Sequence, residues 1–224
     1  MSPSPRKRQI RPRRAPVIAV VLLAAAAAAV AAVVHFTTAK PAPPALDAAL
    51  APAEPGGKSR GRPDAPVVVE IFSDFLCIHC ADFANSTERA LVAEFVEPGV
   101  VRLIYRQFPV ISQLSVSIAE ASECAADQKR FWAFHDAVYV RVQRGAMRRA
   151  ADIDSAAREA RLDLAALATC RQGGRMRSRV EADFNDGASR GVQATPTFFI
   201  NGRQVVGNQP LDVFRAEINA ARKR

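Results

Sequence analysis

Histidine and methionine are scarce in this chain of 224 residues, with three of each, and neither is clustered. The histidines are His35, His79 and His135, and the cysteines number four. A zinc site needs four ligands, and the chain has one Cys-x-x-Cys, Cys77 to Cys80, with no second such pair and no histidine group to complete it. Haem attachment requires a histidine directly after the second cysteine, and Ala81 stands there. The lack of methionine-rich segments argues against a copper carrier. Internal repeats are also missing, so nothing suggests a solenoid.

Acidic residues are absent before Asp47, and this shapes the charge of the whole chain. The formal charge is +9, but Arg6, Lys7, Arg8, Arg11, Arg13, Arg14 and Lys40 all precede Asp47. Removing those seven leaves about +2 for everything downstream, an ordinary balance that argues against nucleic-acid binding.

The basic tail runs into residues 17–34, an unbroken apolar stretch. At 1.5 Å per residue it spans about 27 Å, close to the hydrocarbon thickness of a bilayer. An uncleaved membrane anchor and a cleaved signal segment both fit, since much of the run is alanine and Thr37-Thr38-Ala39 offers small residues for cleavage. In either case the positive-inside rule keeps the arginine-rich end in the cytoplasm and exports the rest to an oxidising compartment. The expected organisation is a basic cytoplasmic tail over 1–16, a transmembrane anchor or signal segment over 17–36, and a Pro/Ala/Gly-rich linker over 37–63 that buries nothing. A folded domain over 64–224 follows.

Within that domain a Cys-x-x-Cys pair stands where a strand gives way to a helix. Residues 67–72 are β-branched and apolar, as in a strand buried on both faces. Residues 81–96 repeat apolar side chains at helical spacing, among them Phe83, Leu91 and Phe95, so one helix is expected over 77–96. Cys77 therefore falls near a helix N-terminus, where free N–H groups and the helix dipole stabilise a thiolate. A thiolate is the form that attacks disulfides. The pair reads as a redox site, with Cys77 the exposed nucleophile and Cys80, one turn inside, the resolving thiol. His79 is placed to offer the Cys77 thiolate a hydrogen bond or a positive charge. An inert disulfide and half of a metal site are the other readings of the pair.

A second strand over 100–106, after the Pro98-Gly99 turn, completes a βαβ unit. Residues 114 to about 190 are patterned almost wholly as helix, with breaks near Gly145 and at Gly173-Gly174. Ile118, Ala121 and Ala125 form one apolar stripe, and Phe131, Phe134, Val138 and Val142 continue one; Trp132 and Phe134 read as core. β character returns over 197–200 and 204–206 around the hairpin signal Asn201-Gly202. A last helix over 210–221 buries Leu211, Phe214 and Ile218. The layout is α/β: βαβ, a helical block, then ββα.

With these pieces assembled, the chain resembles the DsbA-like thiol-disulfide oxidoreductases of the thioredoxin superfamily. Phe72-Ser73-Asp74-Phe75 and the cysteine pair match that family's passage from strand to active site. Cys124 with Phe131-Trp132-Ala133-Phe134-His135-Asp136 is similar to the opening of its helical insertion, and residues 191–202 to the loop and strand bearing its cis-proline. The resemblance implies a thioredoxin fold with a helical insertion at about 114–190. It implies a cis bond before Pro196 and a free strand edge at Thr195 that pairs with substrate backbone. It further implies membrane-tethered donation of the Cys77–Cys80 disulfide to exported proteins with free thiols. Reoxidation would come from a quinone-linked membrane oxidase of the DsbB or VKOR type. No organic cofactor or metal is implied, because the cysteines carry the electrons. A reductase or isomerase of extracytoplasmic thiols, or a thioredoxin-fold metallochaperone, remain the alternatives.

Two departures from the family pattern stand out. Ile78 replaces the usual proline after the first cysteine, leaving the redox potential open. Relatives often place an acid six residues before that cysteine, where this chain has Ile71. Glu70 is one position earlier, and strand alternation sends it to the opposite face unless a bulge intervenes; Asp74 is the other substitute. With Cys77 and Cys80 joined to each other, Cys124 and Cys170 are left as mutual partners, and some relatives carry a second bridge in this block. A structural disulfide and two buried free thiols are the alternatives there.

Overall fold

The computed structural model describes residues 57–223. The expected tail, the apolar segment at 17–36 and most of the linker lie outside the described residues. Among the described residues no helix is long and apolar enough to cross a membrane.

The elements in chain order are β1 (Ser59–Arg60), β2 (Val67–Ser73), α1 (Ile78–Asn85) and α2 (Thr87–Leu91), which continues as a π turn over Val92–Val96. Then come β3 (Val101–Gln107), α3 (Gln113–Asp127), α4 (Phe131–Gln143), α5 (Ala151–Glu159), α6 (Leu164–Gln172) and α7 (Arg175–Ser189). The chain closes with β4 (Thr197–Ile200), β5 (Arg203–Val206) and α8 (Leu211–Ala221). The sheet order is β1-β3-β2-β4-β5, with β2 parallel to β3 and the other neighbours antiparallel. The helical block between β3 and β4 is the insertion.

Period-two alternation decides what each sheet face buries. Val67, Val69 and Ile71 of β2 join Leu103 and Tyr105 of β3 and Phe198 and Ile200 of β4 in the main core. Phe198 meets Phe83 of α1 at 4.7 Å between ring centres and Phe214 of α8 at 4.8 Å, so the redox helix and the last helix close over one sheet face. Phe72 and Phe199 point the other way, into a smaller cluster with Phe108, Val192 and Phe184. Gly187 of α7 lets that cluster close, because a Cβ there would stand 2.7 Å from the Phe72 ring.

Two expectations about the chain's course are corrected. The helix after the cysteine pair is not continuous over 77–96; it breaks at Ser86, whose backbone leaves the helical region at φ −130°, ψ −80°. Asn85, Ser86 and Thr87 are consecutive residues whose side chains compete for backbone partners, and the Ser86 hydroxyl donates back to the Asp82 carbonyl. The linker, in turn, does not run unburied to residue 63. Ser59 and Arg60 pair with Ile104 and Leu103 of β3 and are buried. Lys58 reaches Glu123 at 2.7 Å and Asp183 at 2.6 Å. The Arg60 guanidinium lies 3.9 Å over the Trp132 ring. A polar segment joins the core here because carboxylates and a ring from distant helices receive its charges.

Candidate active site

Cys77 is the N-cap of α1, in extended backbone at φ −71°, ψ 121°. Asp74 builds the turn that places it. The Cys77 N–H donates to the Asp74 carbonyl at 3.1 Å. The Asp74 carboxylate accepts from the N–H of Leu76 at 2.8 Å, Val110 at 2.7 Å and Ile111 at 2.9 Å. This buried acid is committed to backbone amides on two loops. Its sequence signal is an Asx residue just ahead of a helix cap.

Across from the cap, the Thr195–Pro196 peptide is cis. The Cys77 sulfur lies 3.4 Å from the Thr195 carbonyl oxygen. The structure thus brings Cys77, Cys80, Thr195 and Pro196 to one end of the sheet. Ile78, Val110, Ile111 and Val206 are each about half exposed, more than any other large apolar side chain among the described residues. The first three flank the turn that Asp74 organises, and Val206 pairs with Thr197 beside the cis-proline.

Cys77 is 8% exposed, so it is recessed rather than exposed as expected. Its pKa is pushed down to about 5, foremost by the Cys80 thiol donating to its sulfur. The Thr195 hydroxyl and the backbone N–H groups of Cys80 and His79 add to this, against the opposing effect of burial. Cys80 is 1% exposed, and burial, with the neighbouring Cys77 sulfur, pushes its pKa well up. Two adjacent thiols are thereby split into an ionised outer sulfur and a protonated inner one.

Of His79, the backbone amide acts on Cys77, while the imidazole side chain is exposed. The i+2 position after an N-cap delivers that N–H regardless of the side chain. Glu70 stays on the face opposite Ile71, with no bulge. There Arg190 at 2.7 Å and Arg106 at 3.0 Å outweigh its burial and hold its pKa below the usual carboxylate value. Neither Glu70 nor Asp74 is free to serve as a buried acid beneath the cysteines.

The Ser73 hydroxyl, just ahead of the redox turn, meets the Tyr139 hydroxyl at 2.8 Å. Tyr139 in turn meets Tyr105 at 3.0 Å. These are the chain's two tyrosines, one from β3 and one from α4. No local pattern in the sequence joins residues 34 positions apart on different elements. Elsewhere, Cys124 and Cys170 form a disulfide of 2.09 Å between α3 and α6. Among the described residues no cluster of histidine, cysteine or acids is arranged to hold a metal ion.

A central β-sheet that carries a dithiol at a helix cap opposite a cis-proline, with helices inserted before that proline, defines a thioredoxin-fold protein. A family model described as Thioredoxin matches residues 53–220, and the chain belongs to that family. Among curated proteins it is 31% identical over 164 residues to "Na(+)/H(+) antiporter NhaA 1" of Salinispora arenicola, covering 72% of this chain and 24% of that one. It is 37% identical over 84 residues to "Probable disulfide bond formation protein D" of Bacillus anthracis, covering 37% of this chain and 39% of that one. The chain thus spans about a quarter of the length of the curated antiporters it matches. Among solved structures it is similar to oxidised BdbD from Bacillus subtilis, with TM-score 0.69 and 23% identity over 75% of this chain and 94% of that one. Wolbachia pipientis alpha-DsbA1 matches with TM-score 0.67 and 21% identity over 74% of this chain and 90% of that one. At these identities the likeness to the solved structures is one of fold.

Proposed function

We propose that this chain is a membrane-tethered thiol-disulfide oxidoreductase that donates the Cys77–Cys80 disulfide to exported polypeptides outside the cytoplasm. One observation carries the reading: Cys77 caps the helix that holds Cys80, with its sulfur 3.4 Å from the Thr195 carbonyl, and there its pKa is pushed down to about 5 while that of Cys80 is pushed up. Whatever stabilises the thiolate stabilises the reduced protein, so the disulfide is readily given away. Each pH unit by which the Cys77 pKa lies below ambient is worth about 30 mV for a two-electron couple.

Donation proceeds in two exchanges. A client thiolate attacks Cys77, forming a mixed disulfide and releasing Cys80. A second client thiolate then attacks the client sulfur of that bond and releases Cys77 as a thiolate. Client backbone would pair with the Thr195 edge, and the half-exposed Ile78, Val110, Ile111 and Val206 suit unfolded apolar segments. The dithiol would be reoxidised by a membrane oxidase of the DsbB or VKOR type, with no organic cofactor. Residues 17–36 would be the tether, or a signal segment if cleaved; similarity to chains named as antiporters fits a domain kept at a membrane. Cys124–Cys170 would be purely structural.

The test is a glutathione redox titration of the full chain, read by alkylation and intact mass. A potential in the range of about −120 mV supports the oxidase, and one of about −270 mV indicates a reductase. Cys77→Ala should abolish oxidation of a reduced client, and Cys80→Ala should accumulate mixed disulfides with clients. Retained oxidation in Cys77→Ala, or stoichiometric tight metal on the reduced protein, overturns the proposal.

A further inference from the structure

The loop that brings Thr195 and the cis-proline to Cys77 leaves the end of α7 at Arg190 and enters β4 at Thr197. It is open to solvent at Gly191, Gln193 and Ala194, and Thr195 is half-buried. An edge offered by such a loop binds well only if it is held in place before a client arrives. Ordering one loose residue on binding costs about tenfold in affinity. Three fastenings hold the loop. Val192 is buried in the small cluster with Phe72, Phe108 and Phe199. The Thr197 hydroxyl donates to the Ala194 carbonyl at 2.6 Å. The third fastening, with the widest reach, is the Arg190 side chain.

We infer that Arg190 and Glu70 are positioning residues for client recognition, an ion pair that fixes the Thr195 edge in the conformation that takes up client backbone. This deepens the exchange reading above and rests on it. The Arg190 guanidinium spans three elements. One nitrogen donates to the Glu70 carboxylate on β2 at 2.7 Å and another to Asp186 within α7 at 3.0 Å. The group also lies over the Phe199 ring of β4, 3.9 Å from its centre. Glu70 and Phe199 are register partners on adjacent strands, so one arginine covers both. Glu70 is itself held on its far side. Its other carboxylate oxygen accepts from two nitrogens of Arg106 on β3, at 3.1 and 3.0 Å. Arg106 reaches on to Asp183 at 3.3 Å, and Asp183 accepts from the Gln107 N–H at 3.0 Å. The Arg190 and Glu70 side chains are 26% and 16% exposed, so dissolved salt screens the pair only in part.

The helix end and the ion pair have separate tasks. Arg190 is the C-cap of α7, and Gly191 after it takes φ +78°, the left-handed turn that sends the chain back toward the sheet. The helix end sets where the loop begins, and the pair sets the direction in which it leaves. Glu70 stands on the sheet face away from Ile71, so the pair acts on clients through the loop. Dithiothreitol reacts with a disulfide without pairing any peptide backbone, whereas a peptide client uses the edge. A positioning role therefore weakens peptides selectively.

The experiment uses the full chain in its oxidised form, with Arg190→Ala, Arg190→Lys and Glu70→Gln. Two rate constants are measured for each, by acid quench, alkylation and intact mass. One is for reduction by an extended synthetic peptide carrying two cysteines, the other for reduction by dithiothreitol, and their ratio is the readout. Arg190→Ala is expected to lower the ratio about tenfold, the cost of ordering one loop residue. Arg190→Lys keeps the charge but loses the plane that covers Phe199, and Glu70→Gln keeps an acceptor but loses the charge. Each should lower the ratio about threefold. Glu70→Gln combined with Arg190→Ala should do no more than Arg190→Ala alone, because the two residues act as a unit. A merely structural role slows both reductions alike or neither, and leaves the ratio at the parent value. Should Arg190→Ala fail to fold, the two milder variants carry the test through the same ratio. An unchanged ratio in all folded variants overturns the inference while leaving the exchange reading intact. A parent chain that reacts with neither the peptide nor dithiothreitol overturns the exchange reading and this inference together.

Discussion

The Cys77 sulfur lies 3.4 Å from the carbonyl oxygen of Thr195, 118 residues further along the chain. This contact joins a helix cap on one side of the sheet to the turn before β4, and it makes Thr195 a direct influence on the nucleophile. The Thr195 hydroxyl adds to the forces that hold the Cys77 pKa at about 5.

A pH dependence follows from that value. In the folded reduced chain Cys77 is ionised above about pH 5, whereas in the unfolded chain an ordinary thiol stays protonated to about pH 8.5. The folded value is the lower one, so ionisation stabilises the folded reduced state. The contribution is complete above about pH 8.5, shrinks as pH falls, and is gone below about pH 5. The oxidised chain lacks it. The melting temperature of the reduced form relative to the oxidised form should therefore drop steadily from pH 8 to pH 5, and a flat difference contradicts the assignment. Thr195→Val should raise the Cys77 pKa and reduce its ionisation constant about tenfold, read as a shifted pH profile of iodoacetamide alkylation.

His79→Ala should leave that alkylation profile nearly unchanged. The imidazole is exposed, and the group that acts on the thiolate is the backbone N–H of residue 79, which alanine retains. His79→Pro removes the N–H and should raise the Cys77 pKa. A large effect of the alanine variant would return the ring to the mechanism.

Asp74→Ala should destabilise the domain by about 3 kcal/mol in urea denaturation, because it strips the acceptor from the amides of Leu76, Val110 and Ile111. Hydrogen exchange at Val110 and Ile111 should accelerate in the same variant. Unchanged exchange there shows that the carboxylate does not tie the two loops together.

Replacing Cys124 and Cys170 together by alanine should cost up to about 4 kcal/mol, the chain-entropy value for a loop closed across a separation of 46 residues. The redox potential of Cys77–Cys80 should stay within the error of the titration. A shift of more than about 30 mV means that the two pairs are coupled.

The short-range chemistry of the chain is legible in its residue pattern. A β-branched run, a Cys-x-x-Cys at the head of an apolar helical period and an Asn-Gly hairpin place β2, the start of the redox helix and the β4–β5 turn within a residue or two, because each depends on neighbours within one or two turns. Alternation alone puts Glu70 on the face away from Ile71. The break at Ser86 is hidden from periodicity, since the apolar repeat continues through it while Asn85, Ser86 and Thr87 compete for backbone partners. The insertion reads as helix because its apolar stripes are strong.

By itself the sequence determined which sulfur caps a helix and which residues of β2 line each sheet face; both follow from periodicity and backbone sterics. Only the tertiary structure decided that Lys58 and Arg60 belong to the domain, that Asp74 clamps a loop 36 residues away, and that Tyr139 meets both Ser73 and Tyr105. Those are contacts between elements far apart in the chain, and partners for a charge or a hydroxyl exist only once packing has excluded water and brought them within hydrogen-bond distance.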